Sequence, residues 1–255
     1  MTANKATSFG ALTDHFGILA IVKGAGTLGD VLELVGSNAV PRAQARADAQ
    51  DENEDVAASA YHGNSAGEIK EASCTYVLKS GTLDLSDIDI GELEAGILAE
   101  KLAASTANGK WPEIVVTGFL GLETIVAPSG LTNKFQLPAI VITGAKRAQP
   151  LGFTVTTGRL TASSISFNCS MAEQQDGVGE PVAHGVSGGT GELTAEFVRV
   201  DTQPAWALAA VLADSAGDAK FLAEVTQVPG ADEPQAAWHT ANGAAAFIVP
   251  RIAAA

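Results

Sequence analysis

The sequence predicts a mainly β protein: two packed antiparallel sheets, sandwich- or barrel-like, with a short helix and an extended N-terminal arm. Three observations lead there. From Glu71 onward, short runs alternate apolar and polar side chains, the period of a half-buried strand. Gly, Pro, Asn and Asp punctuate those runs at short intervals, the layout of a sandwich or barrel. Hydrophobic residues make up 46% of the chain and charged residues 17%, enough apolar area for a core and too little charge for compositional disorder.

The 255 residues divide near residue 70, into an N-terminal segment with an acidic loop arm (1–70) and a β-rich core domain (71–255). In the first part, GILAIVKGAGTLG (17–29) leads into DVLELVG (30–36), which reads either as a strand or as one short helix. The following PRAQARADAQDENED (41–55) crowds Asp48, Asp51, Glu52, Glu54 and Asp55 together. Such a segment buries no apolar area, so it reads as a solvated loop or as an arm ordered by a partner. Its Ala, Arg and Gln residues leave a helix over 42–50 open as an alternative.

In EASCTYVLK, Cys74, Tyr76 and Leu78 share one parity and Thr75, Val77 and Lys79 the other, so one face of this strand is buried. GTLDLSDIDIG switches parity: Leu83 and Leu85 fall on one phase, Ile88 and Ile90 on the other. A bulge or turn at Ser86–Asp87 keeps both pairs inward. Asn108–Gly109 marks a turn, Pro112 the entrance of a strand through Val115–Thr117, and PAIVIT (138–143) and GFTVTT (152–157) two further strands. Over 159–171 the alternation is cleanest, Ile165, Phe167, Cys169 and Met171 against Ser164, Ser166, Asn168 and Ser170. ELTAEFVRV (192–200) sets Leu193, Ala195 and Phe197 against Thr194 and Glu196, and the two segments suit a long hairpin-like pair. Residues 204–224 form the best helix candidate, broken at Ser215–Gly217, with a strand over Trp206–Leu212 as the alternative. HTANGAAAFIVPRI supplies a last strand that ends at Pro250. Cys74 and Cys169 lie in strand-like sequence without metal-ligand spacing, and read as reduced core thiols.

Fifteen Lys and Arg against 29 Asp and Glu give a formal charge of −14. No basic stripe is present to grip phosphates, which argues against tight nucleic-acid binding. The first sixteen residues lack the basic region and apolar run of a secretory signal, and GILAIV (17–22) and WALAAVLA (206–213) are too short to span a bilayer.

Two motifs suggest chemistry and both lack the required context. Gly24-Ala25-Gly26-Thr27-Leu28-Gly29 matches a dinucleotide-binding loop, but only two helical turns fit before Gly36 and Pro41, and no second βαβ unit follows. Gly185-Val186-Ser187-Gly188-Gly189 matches a nucleophile elbow, with Asp201 or Asp214 and then His239 in hydrolase order. An elbow needs a helix after the serine, whereas Gly188-Gly189-Thr190-Gly191 and a strand follow here, which reads as a hairpin loop. The four histidines are scattered, and the acidic run 84–94 (Asp84, Asp87, Asp89, Glu92, Glu94) lacks the calcium-loop register. No catalytic, cofactor or metal residue is therefore assigned. Asn168-Cys169-Ser170 is a glycosylation sequon only in form. Trp111, Trp206 and Trp238 serve equally well as core residues or interface anchors.

Three stretches, ASCTYVLKSGTLDLSD, STANGKWPEIVVTG, and SFNCSMA with GEPVAHGVSGGTGELTAEF, give residues 30–200 a texture and segment order that resembles virion proteins of tailed bacteriophages, tail-tube subunits in particular. The resemblance implies two packed sheets with a flanking helix, subunits joined in rings, usually hexameric, and rings stacked into a pipe for the genome. It implies a virion location after assembly in the bacterial host cytoplasm. Sister copies and other tail proteins are then the partners, and DNA is passing cargo that an acidic wall does not hold. The chain exceeds a minimal tube subunit, which also admits a tube-initiating, tail-completion or baseplate role. On this reading Glu192 and Glu196 are candidates to face the lumen, and Asp51, Glu52 and Trp111 candidates for subunit contacts. Two rivals stand beside it: a serine hydrolase using Ser187, and a monomeric β-sandwich that binds a small ligand or carbohydrate over Trp111 or Trp238.

Overall fold

A computed structural model describes residues 32–41, 45–50, 56–62, 69–88, 90–91, 93–94, 97–120, 125–175, 177, 181–213, 221–227 and 238–254. Its strands are β1 (Leu32–Pro41), β2 (Ala45–Gln50), β3 (Val56–His62), β4 (Ile69–Leu78), β5 (Thr82–Asp84), β6 (Leu93–Glu94), β7 (Ile97–Ala107), β8 (Glu113–Leu120) and β9 (Leu131–Phe135). There follow β10 (Val141–Thr143), β11 (Phe153–Thr157), β12 (Arg159–Gln175), β13 (Pro181–Arg199), β14 (Ala205–Leu208), β15 (Leu222–Gln227), β16 (His239–Ile248) and β17 (Arg251–Ala253).

The molecule is mainly β and antiparallel, with two unequal layers. One nine-stranded sheet runs β1-β4-β8-β7-β12-β13-β16-β15, with β6 added against β7. The second layer consists of two-stranded ribbons: β5–β10, β11–β14 and β9–β17. Their residues Leu83, Ile142, Phe153 and Phe135 join the core formed by Tyr76, Leu102, Ile114, Ile165, Leu193, Phe197 and Phe247 of the sheet. The sheet does not close into a barrel; β1 and β15 remain its borders.

Alternation places the core as expected. Cys74, Tyr76 and Leu78 are buried, as are Ile165, Phe167 and Cys169, and Leu193, Ala195 and Phe197, because successive strand residues point to opposite faces. The parity switch after Leu85 is resolved by a 3-10 turn over Leu85–Asp87, capped by Asp84, whose Oδ1 accepts from Ser86 N at 3.0 Å and Ser86 Oγ at 2.9 Å. Leu83, Leu85, Ile88 and Ile90 are all buried in consequence. The long hairpin is present and longer than the sequence suggests, pairing Arg159 with Val198 at one end and Gln175 with Pro181 at the other.

Five expectations are corrected. Residues 205–208 and 222–227 are strands, so the helix placed over 204–224 does not form there. Trp206 accounts for this: it packs edge-on against Phe153 at 5.1 Å and stacks on Phe197, and β14 pairs with β11 to hold it there. Ala45–Gln50, read as a loop or helix, is a strand paired with Val56–His62. Leu32–Pro41, grouped by sequence with the N-terminal arm, is a border strand of the main sheet, paired with β4. Finally, Gly185–Gly189 is no hairpin loop but part of β13, and the strand expected over 138–143 is confined to Val141–Thr143.

Candidate functional site

The face of the main sheet turned away from the core is built of small and hydroxyl side chains. Register aligns them in rows across the sheet, and one row runs Gly36, Thr75, Val115, Ala103, Ser166, Glu192, Ala246, Glu224. The next row places Ser105, Ser164 and Thr194 side by side, and the Ser164 and Thr194 hydroxyls bond at 2.7 Å. Glu192 and Glu196, expected to face a lumen, lie exposed on this face, along with Glu113 and Glu224. Lys79 ion-pairs with Glu33 at its margin. Asp51 and Glu52 lie outside the described residues, as does the glycine motif 24–29.

At the end of β7 and β8 this face holds a trough of about 310 Å³, lined by Ser105, Lys110, Trp111, Glu113, Ser164, Thr194 and Glu196 among others. The half-buried Trp111 ring carries the Lys146 ammonium 5.1 Å from its centroid. A polar network fixes the loop that bears Lys146. Gln149 N donates to Thr106 Oγ1 at 2.8 Å, the Ser163 hydroxyl donates to Gln149 O, and Thr106 and Ser163 bond each other at 3.0 Å. The Gln149 amide brackets Thr143, accepting from its N at 2.7 Å and its Oγ1 at 2.9 Å while donating to its carbonyl at 2.7 Å. Asn108 Oδ1 accepts from Ala148 N at 3.0 Å. Thr106, Ser163 and Gln149 are buried, so each polar atom needs these partners.

At the opposite end, β12 and β13 continue past their sheet neighbours. The β7 register ends at Asn168 and the β16 register at Thr190, while the β12–β13 ladder runs on to Gln175 and Pro181. A bulge sits where this arm leaves the sheet, Gly188 and Gly189 on β13 against Cys169. Gly188 takes φ +61°, open to glycine at little cost. At Gly189 a side chain would collide with the Phe135 ring and with Val249 O. Gly188 and Gly189 of the elbow-like motif therefore serve a bend. Arg251 clasps the arm's base: its guanidinium donates to Val186 O and to Thr132 O, and lies 4.6 Å from the centre of the Phe135 ring.

Ser187, Asp201 and His239 are not brought together, and Asp214 lies outside the described residues. Ser187 is exposed and donates to Ser170 O at 3.4 Å. His239 pairs with Arg199, twelve residues along β13 from Ser187, a separation of about 40 Å at strand rise. Asp201 is held by Arg199, Nε to Oδ1 at 2.5 Å and Nη2 to Oδ2 at 3.0 Å, and this bond keeps its carboxyl below the ordinary range. Among the described residues no group of three or more His, Cys, Asp or Glu side chains is placed to hold a metal ion.

Both cysteines are free and buried. Burial pushes the Cys169 thiol up to about 12, with the Glu100 charge adding to the effect. Glu100 is the extra residue of a bulge in β7 between Ala99 and Lys101. It is 8% exposed; burial raises its carboxyl, and the Lys101 ammonium 3.4 Å away opposes the rise. Sequence reasoning missed this bulge and the trough. The parity of Leu98, Ala99 and Leu102 carried a signal for the first, while the second draws on residues from four separate segments.

The chain thus belongs to the class of open-sheet, mainly antiparallel β proteins, its site a bare sheet face with two borders among the described residues. No protein-family model matches the sequence, and no curated protein is significantly similar to it.

Proposed function

We propose that this protein is a non-enzymatic structural subunit that associates with copies of itself into a ring or tube, in the manner of bacteriophage tail proteins. One observation carries the reading: a sheet packed on one face and bare on the other, whose border strands β1 and β15 have no further strand partner among the described residues. Such borders present unpaired N–H and C=O groups, and joining sister molecules satisfies them.

Three features support it. The main path holds eight strands, all paired antiparallel, so β1 and β15 run in opposite directions and equally oriented neighbours meet antiparallel. Val35 on β1 and Leu222 and Val225 on β15 are 49%, 55% and 41% exposed, which places apolar side chains at both borders. Register shifts at Val35 and between Val225 and Gln227 bend each border, restricting addition to a strand of matching shape.

On this reading Glu192 and Glu196 belong to the wall of the bore, where carboxylates repel a passing polyanion. The arm formed by β12 and β13 reaches beyond the wall toward other tail proteins. Negative-stain imaging of the purified full chain tests the reading: rings or rods are expected, and isolated single molecules at micromolar concentration refute it.

A further inference from the structure

We infer that the trough beside Trp111 is a binding site for a neutral sugar ring, a pyranose unit of a di- or oligosaccharide. Its volume of about 310 Å³ falls at the small end of ligand sites, roughly 300–1,000 Å³. The site lies at the strand ends, away from β1 and β15, so it stands independently of self-association and stays open whether or not the borders are paired.

The lining matches a pyranose group by group. A pyranose offers one face of polarised C–H bonds and a rim of hydroxyls. An indole face is electron-rich and takes the C–H side. Glu113 and Glu196 accept hydrogen bonds from rim hydroxyls, Lys110 donates to them, and the Ser105 and Thr194 hydroxyls do both. Two carboxylates disfavour an anionic ligand, and the polar floor disfavours a wholly apolar one.

Trp111 is also held in place before any ligand arrives. Lys146 sits over its ring, 5.1 Å from the centroid, and is not among the residues that line the trough, so the cation–π contact holds the indole without occupying the trough. The loop bearing Lys146 is tied by Gln149 to Thr106 and by Ala148 to Asn108. A platform fixed in advance loses little entropy on binding.

Saturation-transfer NMR on the full chain tests this with maltose, cellobiose, lactose and N,N′-diacetylchitobiose as probes. At least one is expected to receive saturation at its ring C–H protons from the wild-type protein. Trp111→Ala should weaken that binding roughly tenfold or more. Glu196→Gln, at an exposed position, should weaken it without disturbing the fold, and Trp238→Ala should leave it unchanged. Absence of transfer to all four sugars from folded wild-type protein overturns the proposal. So does transfer of equal strength in wild type, Trp111→Ala and Glu196→Gln.

Discussion

The indole of Trp206 lies nearly parallel to the ring of Phe197, 9° between planes and 6.3 Å between centroids, while Phe153 meets both edge-on. This trio joins the β11–β14 ribbon to the main sheet through β13, and the second layer depends on it. Trp206→Ala should cost about 3–5 kcal/mol of folding stability. The indole Nε1 is buried without a hydrogen-bond partner, so Trp206→Phe gives up packing but sheds an unsatisfied donor and should cost roughly 1 kcal/mol. Urea unfolding of the two variants checks the ordering; equal losses contradict it.

A second contact concerns Gly191 on β13, where a Cβ atom would come within 2.0 Å of the Phe247 ring on β16. The two residues are register partners, and the ring fills the space a side chain would take. Gly191→Ala should destabilise by about 1–3 kcal/mol through overpacking. Because the clash is with a side chain, Phe247→Leu in the same molecule should recover part of the loss. A double-mutant cycle measures the coupling, and strict additivity of the two losses argues against the steric account.

The buried thiols give a pH prediction with a defined sign. Burial holds Cys169 at about 12, above its ordinary 9.0, and raises Cys74 as well. Thiols of the unfolded chain therefore ionise first as pH rises. The Cys169 contribution to stability is complete below pH 9 and declines between pH 9 and 12, by up to about 1.4 kcal/mol per pH unit, and Cys74 acts in the same direction. Denaturation midpoints of wild type and Cys169→Ser across pH 7–10.5 test this, the wild-type curve falling more steeply at the alkaline end. In the native state at pH 8, a thiol-reactive aromatic disulfide should modify neither cysteine until denaturant is added.

Much of the sheet was legible because half-buried strands write their burial into alternate residues: Ile165, Phe167 and Cys169, or Leu193, Ala195 and Phe197. Parity alone also demanded the turn after Leu85. Residues 204–224 misled because an Ala- and Leu-rich run satisfies helix propensity, while the stack of Trp206 on Phe197 that overrides it is a contact across the fold. Ala45–Gln50 misled for a related reason: Ala45, Ala47 and Ala49 do alternate with Arg46, Asp48 and Gln50, but alanine favours a helix and buries too little area to announce a strand. The open face was legible as the hydroxyl side of the 159–171 run. The trough on it was not, since Trp111, Ser164 and Glu196 become neighbours only through the β7–β12 and β12–β13 registers.

Sedimentation equilibrium of the full chain, beside the border variants Val35→Lys and Val225→Lys, tests the central claim most directly. Self-association through β1 and β15 predicts a wild-type mass several times 25.9 kDa, and a shift of both variants toward the single chain, since a lysine at a strand border opposes pairing. A wild-type protein that sediments as one chain, or an assembly that neither lysine weakens, contradicts it.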